Sequence, residues 1–319
     1  MRSLITGVGG FAGQHLAAYL LQAGDVVVGL ARGGFRWHAS GTAESSAFTL
    51  LMADLRSHDE TMRAVETAAP DRVFHLAAAS SVHDSFADPV GTLNNNVTAL
   101  IHTLEAVRAC TPTARVLVVS SSETYGSPTQ AGAIDESAEL RPENPYAVSK
   151  AALDLLGYQY YVAYGLDLVR VRPFNHIGPG QTDRFVAANF ARQVAEIEQD
   201  RREPVLQVGN LAAQRDFTDV RDMVRAYELA LRRGKAGAVY NVGRGVGIAI
   251  QSLLDTLVAR SRVRVTIEVD PTRLRRADSP AMVCDTTQFH NATGWRPEIP
   301  LEQTLDDILD YWRHRVREP

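Results

Sequence analysis

Cysteine is scarce in this chain: Cys110 and Cys284 are the only two among 319 residues. They supply neither a disulfide framework nor a metal-ligand cluster, so no metal is expected, and the usage suits a reducing cytoplasm. A block of basic residues is also missing. Lys and Arg number 33 against 37 Asp and Glu, a formal charge of −4, which argues against a nucleic-acid partner and against a polybasic membrane patch. No apolar run approaches the ~20 residues of a membrane span. The first residues, Met1 to Gly7, run straight into a glycine loop with no apolar stretch of signal-peptide length. Internal repeats and low-complexity linkers are absent. What remains is a chain long enough to bury a sizeable core in one large domain or two, expected in the cytoplasm.

The stretch around which the rest is organised is Tyr146-Ala147-Val148-Ser149-Lys150. Tyr and Lys four residues apart share one face of a helix, about a turn apart. A lysine ammonium near the phenol favours the phenolate, so the pair is expected to carry a lowered tyrosine pKa and to move a proton near neutral pH. A Tyr-x-x-x-Lys pair alone more often marks a half-exposed helix face. Its meaning depends on whether a hydride carrier and a carbonyl partner lie elsewhere in the chain.

The carrier site is at the beginning. A short strand, Leu4-Ile5-Thr6, enters Gly7-Val8-Gly9-Gly10-Phe11-Ala12-Gly13 and is followed by a helix with Leu16, Leu20 and Leu21 on one face. Strand, glycine turn and helix in that order form a dinucleotide fingerprint, legible as G-x-G-x-x-A or as G-x-x-G-x-x-G. Glycines let the backbone approach a pyrophosphate, and the helix N-terminus offers amides and a positive dipole end. The bland reading is a tight strand–helix turn. The next strand, Val26 to Leu30, ends at Arg32 with no acid between Val26 and Phe35. An arginine there suits the 2′-phosphate of NADP better than the 2′-hydroxyl of NAD; the other reading of Arg32 is a solvated surface charge.

Further strands are expected at Thr49–Ala53, before Asp54-Leu55, and at Val73–Ala79, with His75 a strand histidine. A helix is expected over Thr92–Arg108, opened by Asn94-Asn95-Asn96, with Val97, Leu100, Ile101, Leu104 and Val107 near helical spacing. The strand Arg115–Val119 ends in Ser120-Ser121-Ser122-Glu123. Ligands of open parallel sheets bind at strand carboxyl ends, where such serines can donate to a carbonyl. Beyond it lie a strand at Leu168–Pro173, a shaped loop Phe174–Gln181, a helix from Phe185 to Ile197, and a strand Val205–Val208. A strand Ala238–Val242, a helix Ile248–Val258, a strand Val263–Val269 and an amphipathic closing helix through Leu301 and Trp312 complete the pattern.

The glycine turn, Asp54-Leu55, Leu76-Ala77-Ala78, the serine strand end and Tyr146-x-x-x-Lys150, in that order, resemble the extended short-chain dehydrogenase/reductase family over essentially the whole chain. The resemblance implies an α/β fold, a doubly wound parallel Rossmann sheet with a smaller C-terminal α/β lobe. Residues 1–173, with returning segments at about 216–245, would bind the cofactor, and 174–319 would mainly hold a nucleotide sugar. It implies Ser121, Tyr146 and Lys150 as the catalytic set, with Glu123 in the acid/base position of the family's dehydratases. Cofactor contacts would fall at Gly7, Gly10, Phe11, Ala12, Gly13, Arg32, Asp54 and Leu55, and at Leu76, Ala77, Ala79, Tyr146, Lys150 and His176. Substrate contacts would fall at Ser81, Ser121, Ser122 and Asn175, and at Val186, Asn189, Arg215 and Arg276, the arginines as diphosphate partners. Neighbouring Asp216 and Asp278 leave a surface ion pair as the other reading of those two arginines.

Within the family, Arg172 to Gln181 resembles the GDP-6-deoxy-4-keto-mannose reductases, which make GDP-rhamnose. The expected cofactor is NADP(H), with NAD(H) the alternative, and the expected partner is a GDP-linked diphospho-sugar. The expected activity is 4-keto reduction; the rivals are a 4,6-dehydratase or 4-epimerase with a recycled cofactor, and a non-catalytic nucleotide sensor. A homodimer through the helices Thr92–Arg108 and Tyr146–Tyr164, with Leu153, Leu155, Leu156 and Tyr160 at its seam, is also implied.

Overall fold

A computed structural model describes residues 1–35, 37–38, 45–127, 132–273 and 281–317. Strands and helices first alternate: β1 (Arg2–Thr6), α1 (Phe11–Gln22), β2 (Val26–Ala31), β3 (Phe48–Met52), α2 (His58–Ala68), β4 (Arg72–His75), α3 (Val82–Ala87), α4 (Pro89–Cys110) and β5 (Arg115–Val119). After a 3₁₀ turn at Ser122–Tyr125 come α5 (Pro145–Tyr164), β6 (Leu168–Pro173), β7 (Asn175–Ile177), α6 (Val186–Ile197), β8 (Val205–Val208) and β9 (Gln214–Asp219). The chain continues through α7 (Val220–Arg233), β10 (Val239–Val242), β11 (Gly247–Ala249), α8 (Ile250–Ala259), β12 (Thr266–Val269), β13 (Ala281–Met282), α9 (Thr287–Thr293) and α10 (Leu301–Arg317).

The main sheet has seven strands in the order β10-β6-β5-β4-β1-β2-β3, all parallel. Its central strands are buried on both faces, as a parallel sheet with helices above and below requires, and the two arginines of β6, Arg170 and Arg172, are paired with the buried Asp154. One face packs Leu16 and Leu20 of α1 with Met223 and Tyr227 of α7 and with Trp295. The other packs Val65 of α2, Leu100 and Leu104 of α4 and Leu153 of α5. A third core joins α6, α8 and α10 in the smaller lobe through Phe190, Leu254 and Ile308. The strand order reverses at β1, whose neighbours are β2 and β4. Crevices at such switch points bind ligands. No helix among the described residues is long and apolar enough to cross a membrane.

Several expected boundaries shift. The asparagine triplet does not open its helix: α4 starts at Pro89, where Asp88 caps the Gly91 amide at 2.8 Å and proline sits at the first helical position. Asn96 is then fully buried mid-helix, tolerated there because its carboxamide has fixed partners. The helix expected from Ile248 begins at Ile250, since Gly247–Ala249 pairs with β9 instead. The strand expected from Val263 is confined to Thr266–Val269, the length that β8 can pair. Leu153 and Tyr160, expected at a dimer seam, belong to the internal core; the exposed apolar residues of α5 are Val148, Leu155, Tyr158, Val162 and Tyr164.

Candidate active site

One cavity of about 760 Å³ runs along the carboxyl ends of the main sheet and under the small lobe. Its floor is the glycine turn. Gly7 holds φ 71°, and a Cβ there would stand 2.8 Å from the Ala77 Cα, so β1 and β4 can approach only without a side chain. A Cβ on Gly13 would collide with the Gly7 carbonyl, which keeps α1 tight on the turn. Gly10 caps α1 without a side-chain hydrogen bond, and no acid stands in the first turn. The amides at that terminus are therefore left for an anion.

On the β2–β3 side, Arg32 lines the cavity and donates to Asn95 Oδ1 at 3.2 Å. Asp54 and Leu55 lie beside it. Arg56, which the sequence reading passed over, also lines this end and grips Asp54 at 2.6 Å. Its hydrogen bonds hold the Asp54 carboxyl down to about 2. The signal was an arginine two residues after an aspartate at a strand end.

On the β4–β5 side, Leu76, Ala77 and Ala79 form the wall. The Ala77 amide donates to Thr6 Oγ1 at 3.2 Å and the Ala79 amide to Asn96 Oδ1 at 2.7 Å. Asn96 Nδ2 donates in turn to Ala79 O at 3.2 Å and to Ser149 Oγ at 2.8 Å. One buried asparagine thus ties the β4 loop to the residue before Lys150. His75 is buried in its strand, against Thr6 Oγ1 at 3.2 Å; burial brings it down to about 3, so it stays neutral.

Ser121, Ser122 and Glu123 follow β5 and line the cavity together with Tyr146 and Lys150 of α5. The start of α5 is set by Asn144, whose Oδ1 accepts from the Ala147 amide at 2.8 Å, and by Pro145. The other end of the Asn144 carboxamide donates to Glu123 Oε2 at 3.2 Å. Ser120 Oγ donates to the Lys150 carbonyl at 2.9 Å. Lys150 is 4% exposed, and its Nζ donates to the Val119 carbonyl at 2.8 Å, 5.9 Å from the Tyr146 ring centre.

The expected lowering of the Tyr146 pKa does not occur. Burial raises it, to about 12, against a lowering hydrogen bond from Ser121, and the Glu123 charge raises it further. Lys150 spends its proton on a backbone carbonyl rather than on the phenol, and burial brings its own pKa down to about 8. Tyr146 is half-exposed by surface, but that surface faces the cavity, so desolvation decides. The pair is a proton-retaining phenol above a lysine that is still cationic at neutral pH.

The roof comes from the second half of the chain. His176 stacks on Phe11 with ring centres 6.0 Å apart and planes 3° apart, and Asn175 lies beside it. Val186, Asn189 and Arg215 line the far end. The Asp216 carboxylate accepts from the amides of Arg244 (2.7 Å), Gly245 (2.7 Å) and Cys284 (3.2 Å), so it is a backbone anchor rather than a partner for Arg215. Two arginines that the sequence reading missed, Arg184 and Arg273, line the same end; Arg273 donates to Asn189 Oδ1 at 2.8 Å. Ser81 does not line the cavity: its hydroxyl caps α3 by accepting from the Asp84 amide at 3.1 Å, and Ser80 and Val82 reach the wall instead. Arg276 and Asp278 lie outside the described residues.

The chain is similar to known proteins over nearly its whole length. The family model described as GDP-mannose 4,6 dehydratase matches residues 4–308. The chain is 38% identical to the GDP-6-deoxy-D-mannose reductase of Pseudomonas aeruginosa, covering 99% of both. It is 28% identical to a GDP-mannose 4,6-dehydratase of Vibrio cholerae, covering 99% of this chain and 96% of the other. Among solved structures, that of RMD from Pseudomonas aeruginosa complexed with NADPH superposes with a TM-score of 0.85 at 36% identity, covering 99% and 100% of the two chains.

Proposed function

Because the chain belongs to the GDP-mannose 4,6-dehydratase family, we propose that it reduces the C4 keto group of a nucleotide-linked 4-keto-6-deoxy sugar with NADPH. The favoured pair is GDP-4-keto-6-deoxy-D-mannose and GDP-D-rhamnose. The observation that carries this reading is end-to-end identity of 38% to a named reductase, against 28% to a named dehydratase.

The cavity suits the cofactor. Gly7 and Gly13 let the turn, β4 and α1 close up on one another, the α1 terminus is uncapped, and Arg32 stands where a 2′-phosphate would lie. When bound, the cofactor supplies the hydride that reduces the carbonyl carbon. Ser121 donates to the carbonyl oxygen, and Tyr146 gives its proton to the oxygen as negative charge develops there. Lys150, cationic below about pH 8, stands one helical turn from Tyr146 and would hold the nicotinamide ribose. Arg215 and Arg273 match the diphosphate at the far end. The cofactor unit would comprise residues 1–173 with the returning segments at about 216–245, and the remainder of 174–319 would hold the sugar nucleotide.

Glu123 at the wall, held by Asn144, keeps a 4,6-dehydratase as the second reading. Incubation with GDP-4-keto-6-deoxy-mannose and NADPH should consume NADPH stoichiometrically, followed by nicotinamide absorbance. Conversion of GDP-mannose to a 4-keto product with oxidised cofactor, without that consumption, would overturn the reductase reading. The exposed Val148, Leu155, Tyr158 and Val162 on α5, continued by Phe86 and Val90, suit a homodimer built from α4 and α5 of each copy. Sedimentation at micromolar concentration should give twice the chain mass; a monomer refutes the pairing.

A further inference from the structure

At the rim of the cavity an ion pair joins the roof to one wall. Arg184, between β7 and α6, donates from Nη1 to Asp84 Oδ2 of α3, 100 residues earlier in the chain. Arg184, Phe185 and Val186 line the roof side and Ser80 and Val82 the wall side, while Asp84 itself does not line the cavity. The pair therefore draws the guanidinium outward. Both side chains are largely exposed, at 65% and 56%, and an exposed ion pair contributes little to stability.

The backbone on either side of Arg184 is anchored. The Asp183 carbonyl accepts from Asn189 Nδ2 at 2.9 Å, and the Asp183 carboxylate is taken by Arg192 of α6. The Phe185 amide donates to the Thr182 carbonyl at 3.2 Å, and the Phe185 carbonyl accepts from the Asn189 amide at 2.8 Å. Asp84 is also set in place: its amide donates to Ser81 Oγ at 3.1 Å, and its Oδ1 meets the His83 ring at 3.3 Å. What is free to move is the Arg184 side chain, a long stem held weakly at its tip.

Arg184 stands at the end of the cavity that Asn189, Arg215 and Arg273 also line, the end read above as the seat of the diphosphate. A guanidinium donates to phosphate oxygens in the same forked geometry as to a carboxylate. A diphosphate brings two negative charges where Asp84 has one. We propose that Arg184 is an exchangeable arm: paired with Asp84 in the ligand-free chain, it passes to the diphosphate of the sugar nucleotide when that enters. Asp84 is then a competitor that holds the arm aside between turnovers. This inference rests on the nucleotide-sugar reading above. The cofactor carries phosphates as well; those belong at the glycine turn and at Arg32, and the test separates the two ligands.

The probes are GDP and NADPH, each titrated by calorimetry into the whole protein. Asp84→Asn removes the competing charge and keeps the size, so GDP should bind about 2- to 5-fold tighter. Arg184→Gln should bind GDP about 5- to 20-fold more weakly. With both substitutions together, GDP affinity should match that of Arg184→Gln alone, because Asp84 acts through Arg184. NADPH affinity should stay within about twofold in all three variants, which also shows that they fold. The inference is overturned if both single substitutions weaken GDP, as for a bridge that merely holds the two sides together, or if Arg184→Gln leaves GDP binding unchanged. It is overturned too if Asp84→Asn tightens GDP equally without Arg184, a field effect of the lost charge, or if NADPH responds in place of GDP. Failure of the natural chain to bind GDP at all removes the GDP-sugar reading itself, and this inference with it.

Discussion

Tyr146 and Lys150 sit in a conflict between solvation and chemistry. Both charged forms are disfavoured by burial, which lifts the phenol to about 12 and draws the ammonium down to about 8. Tyr146→Phe keeps the ring and removes the dissociable proton, so turnover should fall ~10²–10⁴-fold while NADPH affinity barely changes; near-normal turnover would take Tyr146 out of the mechanism. Lys150 makes a stability prediction with a definite sign. Its folded pKa lies below the ordinary value of 10.5, so between about pH 8 and 10.5 the unfolded chain binds more protons than the folded one. Stability contributed by this site therefore rises with pH across that window, and at pH 7 the buried charge is a net cost. Lys150→Met should abolish turnover yet raise the urea midpoint at pH 7, corresponding to an unfolding free energy higher by an amount on the order of 1–3 kcal/mol. A lowered midpoint would mean that the Val119 hydrogen bond outweighs desolvation.

The elements themselves were largely legible. Val26–Ala31 and Arg115–Val119 read as strands because a parallel sheet buried on both faces favours apolar runs; Leu168–Pro173 carries Arg170 and Arg172 within its run, both paired with the buried Asp154. The residues that line the cavity were partly legible too, since the glycines and serines fall at strand ends where a parallel sheet exposes them and the Tyr-Lys pair has helical spacing at the start of α5. What stayed hidden depends on partners far off in sequence. Asn96 reads as a cap from its propensity, but its partners Ala79 and Ser149 lie 17 and 53 residues away. The direction of the Tyr146 shift likewise follows from burial, which no local pattern encodes. Asn96→Ala should leave the Ala79 amide and the Ser149 hydroxyl without this partner and cost ~2–4 kcal/mol in urea unfolding. Cofactor binding should weaken alongside, because α4, α5 and the β4 loop meet at that carboxamide; an unchanged midpoint would show that water replaces it.

At the scale of the molecule, the nucleotide-binding sheet is not finished by the first half of the chain. After β6 the backbone leaves to build β7, α6, β8 and β9, and returns to cover the sheet with α7 and extend it with β10 beside β6. Trp295 closes that face, its indole donating to the Asp222 carbonyl at 3.1 Å. A fragment of residues 1–173 would lack Met223, Tyr227 and Trp295, with which Ile5, Val8, Leu16 and Leu20 share one core in the whole protein. It should show secondary structure by circular dichroism but little protection from hydrogen exchange; native-like protection would refute this. The same threading bears on how the protein is made. A ribosome releases the fingerprint turn long before α7 and Trp295, so the nascent dinucleotide site must wait, with one side of its sheet uncovered, until those elements have been made. Slow translation over the second half prolongs that exposure, and chaperone capture should therefore concentrate on chains arrested between β6 and α7.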